Sequence, residues 1–220
     1  MPLLDVSQPY YVGMTVPPGS PPPAFRPVSR IGEQVANVTE FTFRTHMGTH
    51  VDAPYHFIAT GKRLDQIPIE RFTGQGFVVP APLPPLTPVH REDLAPWADR
   101  IRGLDFVLFS FRWASYFGTE EYFRHPYLAE DAAEELVRLG VRCVGVDTYT
   151  PDTPVPIRTP EHRGPTHLVL LGHDVLIIEN LASLVPVEGR AVRVYAFPLK
   201  IRDADGAPAR VVVEWEEEAS

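Results

Sequence analysis

A chain of 220 residues, 44% of them hydrophobic, is large enough for a real apolar core in one large domain or two small ones. Its 20 Lys and Arg against 28 Asp and Glu leave a formal charge of −8. That charge excludes nucleic acid or an anionic membrane as the main partner, because both need a basic face. Apolar runs such as Phe106–Phe111 are too short to span a bilayer, and the segment starting at Met1 shows no basic start followed by a long apolar stretch. A cytoplasmic protein is expected, and its single cysteine, Cys143, excludes an internal disulfide.

Twenty-five prolines cluster at Pro17–Pro27, Pro80–Pro88 and Pro151–Pro165, which are predicted as loops because proline fixes φ and lacks an N–H. From Asn37 to Thr45 the residues alternate, with Val38, Glu40, Thr42 and Arg44 on one side and Phe41, Phe43 and Thr45 on the other, predicting a strand. Gly76–Val79 is a short strand running into Pro80. Arg91–Arg102 is helical in composition but limited by Pro96, and Asp105–Phe111 is a buried strand. Ala129–Leu139 is the clearest helix, with acidic residues in its first turns and Gly140 just past its end. Arg142–Asp147 is a strand that buries Cys143 as a small core residue. Leu168–Leu171 and Asp174–Ile178 are read as two further strands around Gly172-His173. Arg193–Ile201 and Ala209–Trp215 are read as a hairpin around Asp203-Ala204-Asp205-Gly206. The tail from Glu214 to Ser220 is a solvated acidic terminus. Without repeats or a linker, this order predicts one β-rich mixed α/β domain over residues 1–220.

Three of the eight histidines fall within eleven residues. His46, His50, Asp52 and His56 offer the nitrogen and carboxylate donors used by zinc and related metals. The segment is expected to be a strand ending in a turn: Gly48 permits a tight backbone, and residues 50 and 52 share one face of a strand. Pro54 rules out a helical His-Glu-x-x-His arrangement. Glu179 stands at the end of the apolar run Leu176–Ile178, where an unpaired carboxylate is costly. His90 and His162 are expected to face solvent, His125 to be structural and His173 to lie in a turn. Asp147 and Asp152 flank Thr148-Tyr149-Thr150-Pro151, either as turn caps or as pocket wall. No Gly-x-Ser-x-Gly elbow or phosphate-binding glycine loop is present, which disfavours serine hydrolases and nucleotide enzymes.

The run His46-Met47-Gly48-Thr49-His50-Val51-Asp52-Ala53-Pro54-Tyr55-His56 matches in full the His-x-Gly-Thr-His-x-Asp-x-Pro-x-His signature of the cyclase family of metal-dependent hydrolases, which the chain resembles. The resemblance extends through Asp5-Val6-Ser7, Phe111-Arg112-Trp113, His125–Leu128, Val144–Thr148, His167–Gly172, Ile178–Leu181 and Phe197–Lys200. It implies a swivelling β/β/α-like fold and a divalent metal, with up to two ions per chain. Zinc suits the His/Asp donors, and manganese is the alternative. It implies His46, His50 and Asp52 as ligands of a first ion, Asp52, His167 and Glu179 as ligands of a second, and His56 as general acid/base. The activity implied is cleavage of the C–N bond of a small-molecule amide by metal-activated water. Family members include arylformamidase, which converts N-formylkynurenine to kynurenine and formate in tryptophan catabolism, and hydrolases of the cyclic amides isatin and lactams. A metal-binding regulator that has lost catalysis is the reading from another class; His56, which the metal does not need, speaks against it. The resemblance also implies a homodimer or homotetramer, with Pro17–Pro27 and the aromatic stretch Trp113–Phe123 as interface material. One departure concerns the substrate wall: the formamidase branch carries Trp-Pro-Gly-Asp where this chain has Pro17-Pro18-Gly19-Ser20.

Overall fold

Strand-forming runs of Val, Ile and Phe in the middle of the chain lie side by side and bury both of their faces. The computed structural model describes residues 1–217; of the acidic tail, residues 218–220 lie outside the described residues. The strands are β1 (Leu3–Asp5), β2 (Ala24–Ser29), β3 (Val38–Thr42), β4 (His50–Asp52), β5 (Thr73–Pro80), β6 (Pro88–Val89), β7 (Phe106–Ser110), β8 (Tyr127–Leu128), β9 (Cys143–Val146), β10 (Leu176–Glu179), β11 (Ala191–Pro198) and β12 (Gly206–Glu214). Eight of them form a sheet of order β1-β12-β11-β5-β7-β9-β10-β4, parallel from β5 through β10 and antiparallel elsewhere. Strand β4 also pairs with β12, so the sheet closes into a barrel. The fold is thus the β-rich mixed α/β architecture expected.

Period-two alternation sorts the side chains of the parallel strands into two cores. Val78, Phe106, Leu108, Cys143, Leu176 and Ile178 join Val51, Val194, Val211 and Val213 on one side. Phe77, Val79, Val107, Phe109, Val144, Val146 and Ile177 face the other way, onto the helices. Helix α2 (Glu130–Arg138) covers this second core with Ala132, Ala133 and Leu136. Its acidic first turn suits the helix N-terminus, and Gly140 at φ +79° follows its end. The Arg91–Arg102 segment divides at Pro96 into a 3₁₀ turn and the one-turn helix α1 (Ala98–Ile101).

Three readings are corrected. Leu168–Leu171 is not a strand but part of helix α3 (Pro165–Gly172). A four-residue apolar run is ambiguous between a buried strand and a buried helix. Here Pro165 presets the first helical φ, and the Asp152 carboxylate accepts the N–H groups of Thr166 and His167 at 3.0 and 3.1 Å, a helix cap supplied from a distant loop. Prolines expected in loops also enter strands: Pro80 ends β5, Pro88 starts β6, and Pro27 lies in β2, which among the described residues pairs only with β3, so its missing N–H interrupts a two-stranded ribbon, with a register shift at Pro27/Ser29. The alternating run 37–45 does form β3, but in that exposed ribbon rather than in the barrel, and the signature begins after it as a loop whose ligands His50 and Asp52 then enter β4.

Leu108 is fully buried at the centre of the barrel core. Leu108→Ala is expected to cost about 2–5 kcal/mol, the usual range for emptying a core leucine site. Urea unfolding checks this: the midpoint falls while the denaturant slope is unchanged.

Candidate metal centre

Barrel closure assembles the site. His50 and Asp52, two residues apart, share one face of β4. Directly across the antiparallel pairing, Glu179 stands opposite His50, and Gly206 of β12 stands opposite Asp52. His46 comes from the loop before β4, His167 from the first turn of α3, and His56 from the 3₁₀ turn Pro54–His56. The loop holds its shape through small residues. Gly48 has φ +57°, and a Cβ there would lie 2.8 Å from the Tyr10 ring. The Thr49 hydroxyl donates to Asn180 O at 2.6 Å, tying the loop to the end of β10. At Gly206 a Cβ would come within 2.7 Å of Val51 O and 2.8 Å of the His46 ring, so only glycine fits beside β4.

The donor atoms converge. His46 Nδ1 lies 2.7 Å from Asp52 Oδ1, and His50 Nε2 lies 3.2 Å from the same oxygen. His167 Nε2 lies 3.5 Å from Asp52 Oδ2 and 3.2 Å from Glu179 Oε1, while Glu179 Oε2 is 3.4 Å from His50 Nε2. Asp52 therefore turns one oxygen to His46 and His50 and the other to His167. All five residues of the expected ligand set are brought together.

Whether this set suits a cation is tested by its partners. His50 Nε2 and Asp52 Oδ2 are buried without a hydrogen-bond partner, which is costly for polar atoms unless an ion engages them. The outward nitrogen of each ligand histidine is tied down: His50 Nδ1 donates to Gly48 O at 2.8 Å, His46 Nε2 to Asp205 Oδ2 at 2.9 Å, and His167 Nδ1 to Asp152. Outer acceptors of this kind fix the tautomer and aim the other nitrogen at a metal. The residues fit a divalent cation.

Charge follows the same geometry. Burial opposes protonation of His46, but Asp52 and Asp205 outweigh it and raise its pKa to about 10. Against the same opposition from burial, His167 is held well above the usual histidine value by Asp152, Asp52 and Glu179. Burial alone would raise the Asp52 carboxyl, yet the surrounding histidines hold it well below the ordinary range. Without a metal, protons on His46 and His167 balance the buried carboxylates. His56 behaves differently: burial, helped by the nearby charges of His46 and His167, pushes it down to about 4, so it is neutral at pH 7. Its ring stacks on His46 with centroids 3.7 Å apart, and its Nδ1 is 3.8 Å from Asp205.

Asp205 escapes a reading of the sequence, where it looks like one acid in a hairpin turn. Only the β12–β4 pairing carries it across 159 positions to His46. Asp152, which the sequence allows as turn cap or pocket wall, is in the wall, capping α3 and orienting His167. Asp147 holds a turn, accepting from Phe111 N and Trp113 N at 2.9 and 3.1 Å. His125 is buried and bonded to Pro126 O, and Cys143 is buried in β9. His90, half exposed beside Asp131, lies away from the site. His162 sits on the rim of the pocket itself. That pocket, a cavity of about 410 Å³, is open to His46, His56, His167 and Glu179, with His50 and Asp52 sealed beneath it.

Comparison with known proteins agrees with the site. The family model for cyclases matches residues 4–153. The chain belongs to the cyclase family. Kynurenine formamidase of Bacillus cereus is 30% identical to this cyclase over 213 residues, 96% of each chain. A solved structure described as a potential metal-dependent hydrolase with cyclase activity is 30% identical, with TM-score 0.79 over 99% of each chain. Isatin hydrolase A from Ralstonia solanacearum shares the fold at TM-score 0.86 and 23% identity, over 96% of this chain and 91% of that one. This cyclase is a metal-dependent hydrolase.

Metal entry is expected to displace protons from His46 and His167, both held above the ordinary histidine value. At pH 7, below the His46 pKa of about 10, binding is expected to release protons, and affinity is expected to fall as the pH is lowered. Calorimetric titration of the metal-free protein in buffers of different ionisation enthalpy measures the release; heats independent of the buffer contradict it.

Proposed function

We propose that this cyclase hydrolyses the C–N bond of an aryl formamide, with His46, His50 and Asp52 holding one divalent cation, Asp52, His167 and Glu179 a second, and His56 moving the proton. The observation that carries the reading is the division of the site: His50 and Asp52 are sealed beneath the cavity, while His56 lines it as a neutral imidazole. A cation held by these residues would supply a water of pKa about 7 and would polarise a carbonyl.

His56 then has a defined task. With its side chain 26% exposed and its ring fixed against His46, it is positioned to take the proton from water and return it to the departing nitrogen. Asp205 steadies both rings from one side. Phe57 stacks on His167 at 4.4 Å, closing off one side of the pocket with an apolar ring. The formamidase relatives, aligned over 96% of the chain, support an aryl formamide as substrate. A cyclic amide is the second reading, favoured by Pro17, which lines the cavity where the formamidase branch carries tryptophan.

Zinc is the proposed ion, with manganese as the alternative, since the donors mix imidazole with carboxylate. Among the described residues no helix is long and apolar enough to cross a membrane. The proposed assembly is a homodimer or homotetramer. The β2–β3 ribbon supports it by exposing Phe25, Val38 and Phe41, the side chains a partner surface covers. Trp113 and Tyr122 are instead buried within the chain's own core, which leaves Tyr116 as the exposed aromatic nearest to them.

His56→Ala is expected to keep its metal and lose roughly 10²- to 10⁴-fold in kcat, the usual contribution of a positioned proton-transfer group. His50→Ala is expected to lose metal and activity together. Elemental analysis beside turnover on aryl formamides decides; equal metal loss in both variants makes His56 a ligand, and a fully active His56→Ala rejects its role.

A further inference from the structure

The N-terminal segment crosses the closure of the barrel. Val6 N donates to Val211 O of β12 at 3.0 Å, and Ala182 N, just past β10, donates to Val6 O at 2.8 Å. Gln8 N donates to the Thr49 hydroxyl, also at 2.8 Å. The backbone thus reaches Tyr10 already tied to both neighbours of β4 and to the signature loop. The Tyr10 ring is braced by Phe43, edge-on with centroids 6.0 Å apart, and Phe41 stacks on Phe43 at 5.1 Å. Tyr10 lines no part of the catalytic cavity.

The loop carries three consecutive carbonyls. Gly48 O accepts from His50 Nδ1 at 2.8 Å, and Thr49 O accepts from Ala209 N at 3.0 Å. Thr49 O also lies 3.2 Å from the Tyr10 hydroxyl, but it does not depend on it. Met47 O does: it accepts from the Tyr10 hydroxyl and has no other donor among the described residues. Met47 is buried, and a buried carbonyl left unpaired is costly, so without this donor the peptide is driven to turn elsewhere.

The Met47–Gly48 peptide is the hinge of the loop. Its rotation changes ψ of Met47 and φ of Gly48 together, and glycine takes either sign of φ at little cost. Gly48 stands at φ +57°, a conformer that glycine permits but does not select. The Tyr10 hydroxyl selects it by holding Met47 O. The Tyr10 ring fills the space that glycine leaves, with ring carbons 2.8 and 2.9 Å from where a Cβ would be. In this conformer Gly48 O meets His50 Nδ1, which leaves His50 Nε2 facing Asp52.

From this geometry we infer that Tyr10 is a positioning residue of the metal centre: its hydroxyl fixes the Met47–Gly48 peptide and, through it, the directions of His46 and His50 on either side. The inference rests on the reading of His46, His50 and Asp52 as holding a cation, and adds what sets their directions before the cation arrives. His167 and Glu179 are carried by α3 and β10, outside the loop, so the effect of Tyr10 falls on the first position.

The test is Tyr10→Phe, which keeps the ring and removes the donor, beside Tyr11→Phe, which removes the hydroxyl of the exposed residue next in the chain. Zinc affinity of the metal-free proteins is measured by competition with a chromophoric chelator. Tyr10→Phe is expected to bind zinc about 10- to 100-fold more weakly, the usual cost of losing an outer partner of metal ligands, and Tyr11→Phe to bind like wild type. In crystals of Tyr10→Phe at limiting zinc, anomalous density is expected to weaken among His46, His50 and Asp52 and to persist beside His167 and Glu179. Unchanged affinity in Tyr10→Phe, equal weakening in Tyr11→Phe, or loss from both positions alike overturns the role of Tyr10 and leaves the metal centre standing. A wild type that binds no zinc overturns the metal centre, and the role of Tyr10 with it.

Discussion

A three-residue strand closes this molecule. His50, Val51 and Asp52 pair with β10 on one side and with β12 on the other, and this double pairing turns an open sheet into a barrel. Val51 points into the apolar core, so His50 and Asp52, on the opposite face, are forced outward, to the side where α3 carries His167. The register then brings Glu179 opposite His50, and Gly206 opposite Asp52 with Asp205 beside it. Slipping β4 by one residue would bury the ligands in the core and expose Val51. The apolar packing that stabilises the barrel and the polar geometry of the site are therefore one constraint.

The second consequence is electrostatic. Asp52 is fully buried and Glu179 nearly so, and removing such groups from water is expensive without positive charge nearby. Histidines meet the requirement in two ways. When protonated they neutralise the carboxylates; when neutral they would join them in holding a cation. The outward nitrogens are bound to Gly48, Asp205 and Asp152 in either case, so the rings need not turn when proton is exchanged for metal. His56 stands outside this exchange, on a turn that Pro54 forces away from β4. Neutral and open to the cavity, it is the histidine of the signature proposed to move a proton.

What was legible in the sequence follows the range of the interactions. The signature is local: its histidines and aspartate lie within eleven residues, so the cluster and the family resemblance together point to metal chemistry. The strands 76–79, 105–111 and 142–147 are legible because their apolar runs are bounded by polar residues and turns, and helix 129–139 because its termini carry their own signals. His167 and Glu179 emerge through the family resemblance rather than from spacing, since only pairing with β4 and the packing of α3 bring them near Asp52. Helix α3 was hidden because its cap, Asp152, lies fourteen residues before Thr166. Asp205 was hidden because its partner is on the far side of the chain. Arg158 and Arg163 sit in a proline-rich loop, and only the folded chain places them in the wall of the cavity.

We propose that His46, His50, Asp52, His167 and Glu179 would hold divalent metal where β4 closes the barrel. Anomalous diffraction at the zinc edge from crystals of the metal-loaded protein tests it directly. Metal density is expected among His46, His50 and Asp52, and in a doubly loaded form also beside His167 and Glu179. A metal peak away from Asp52, or one that takes His56 in place of His50, would contradict it.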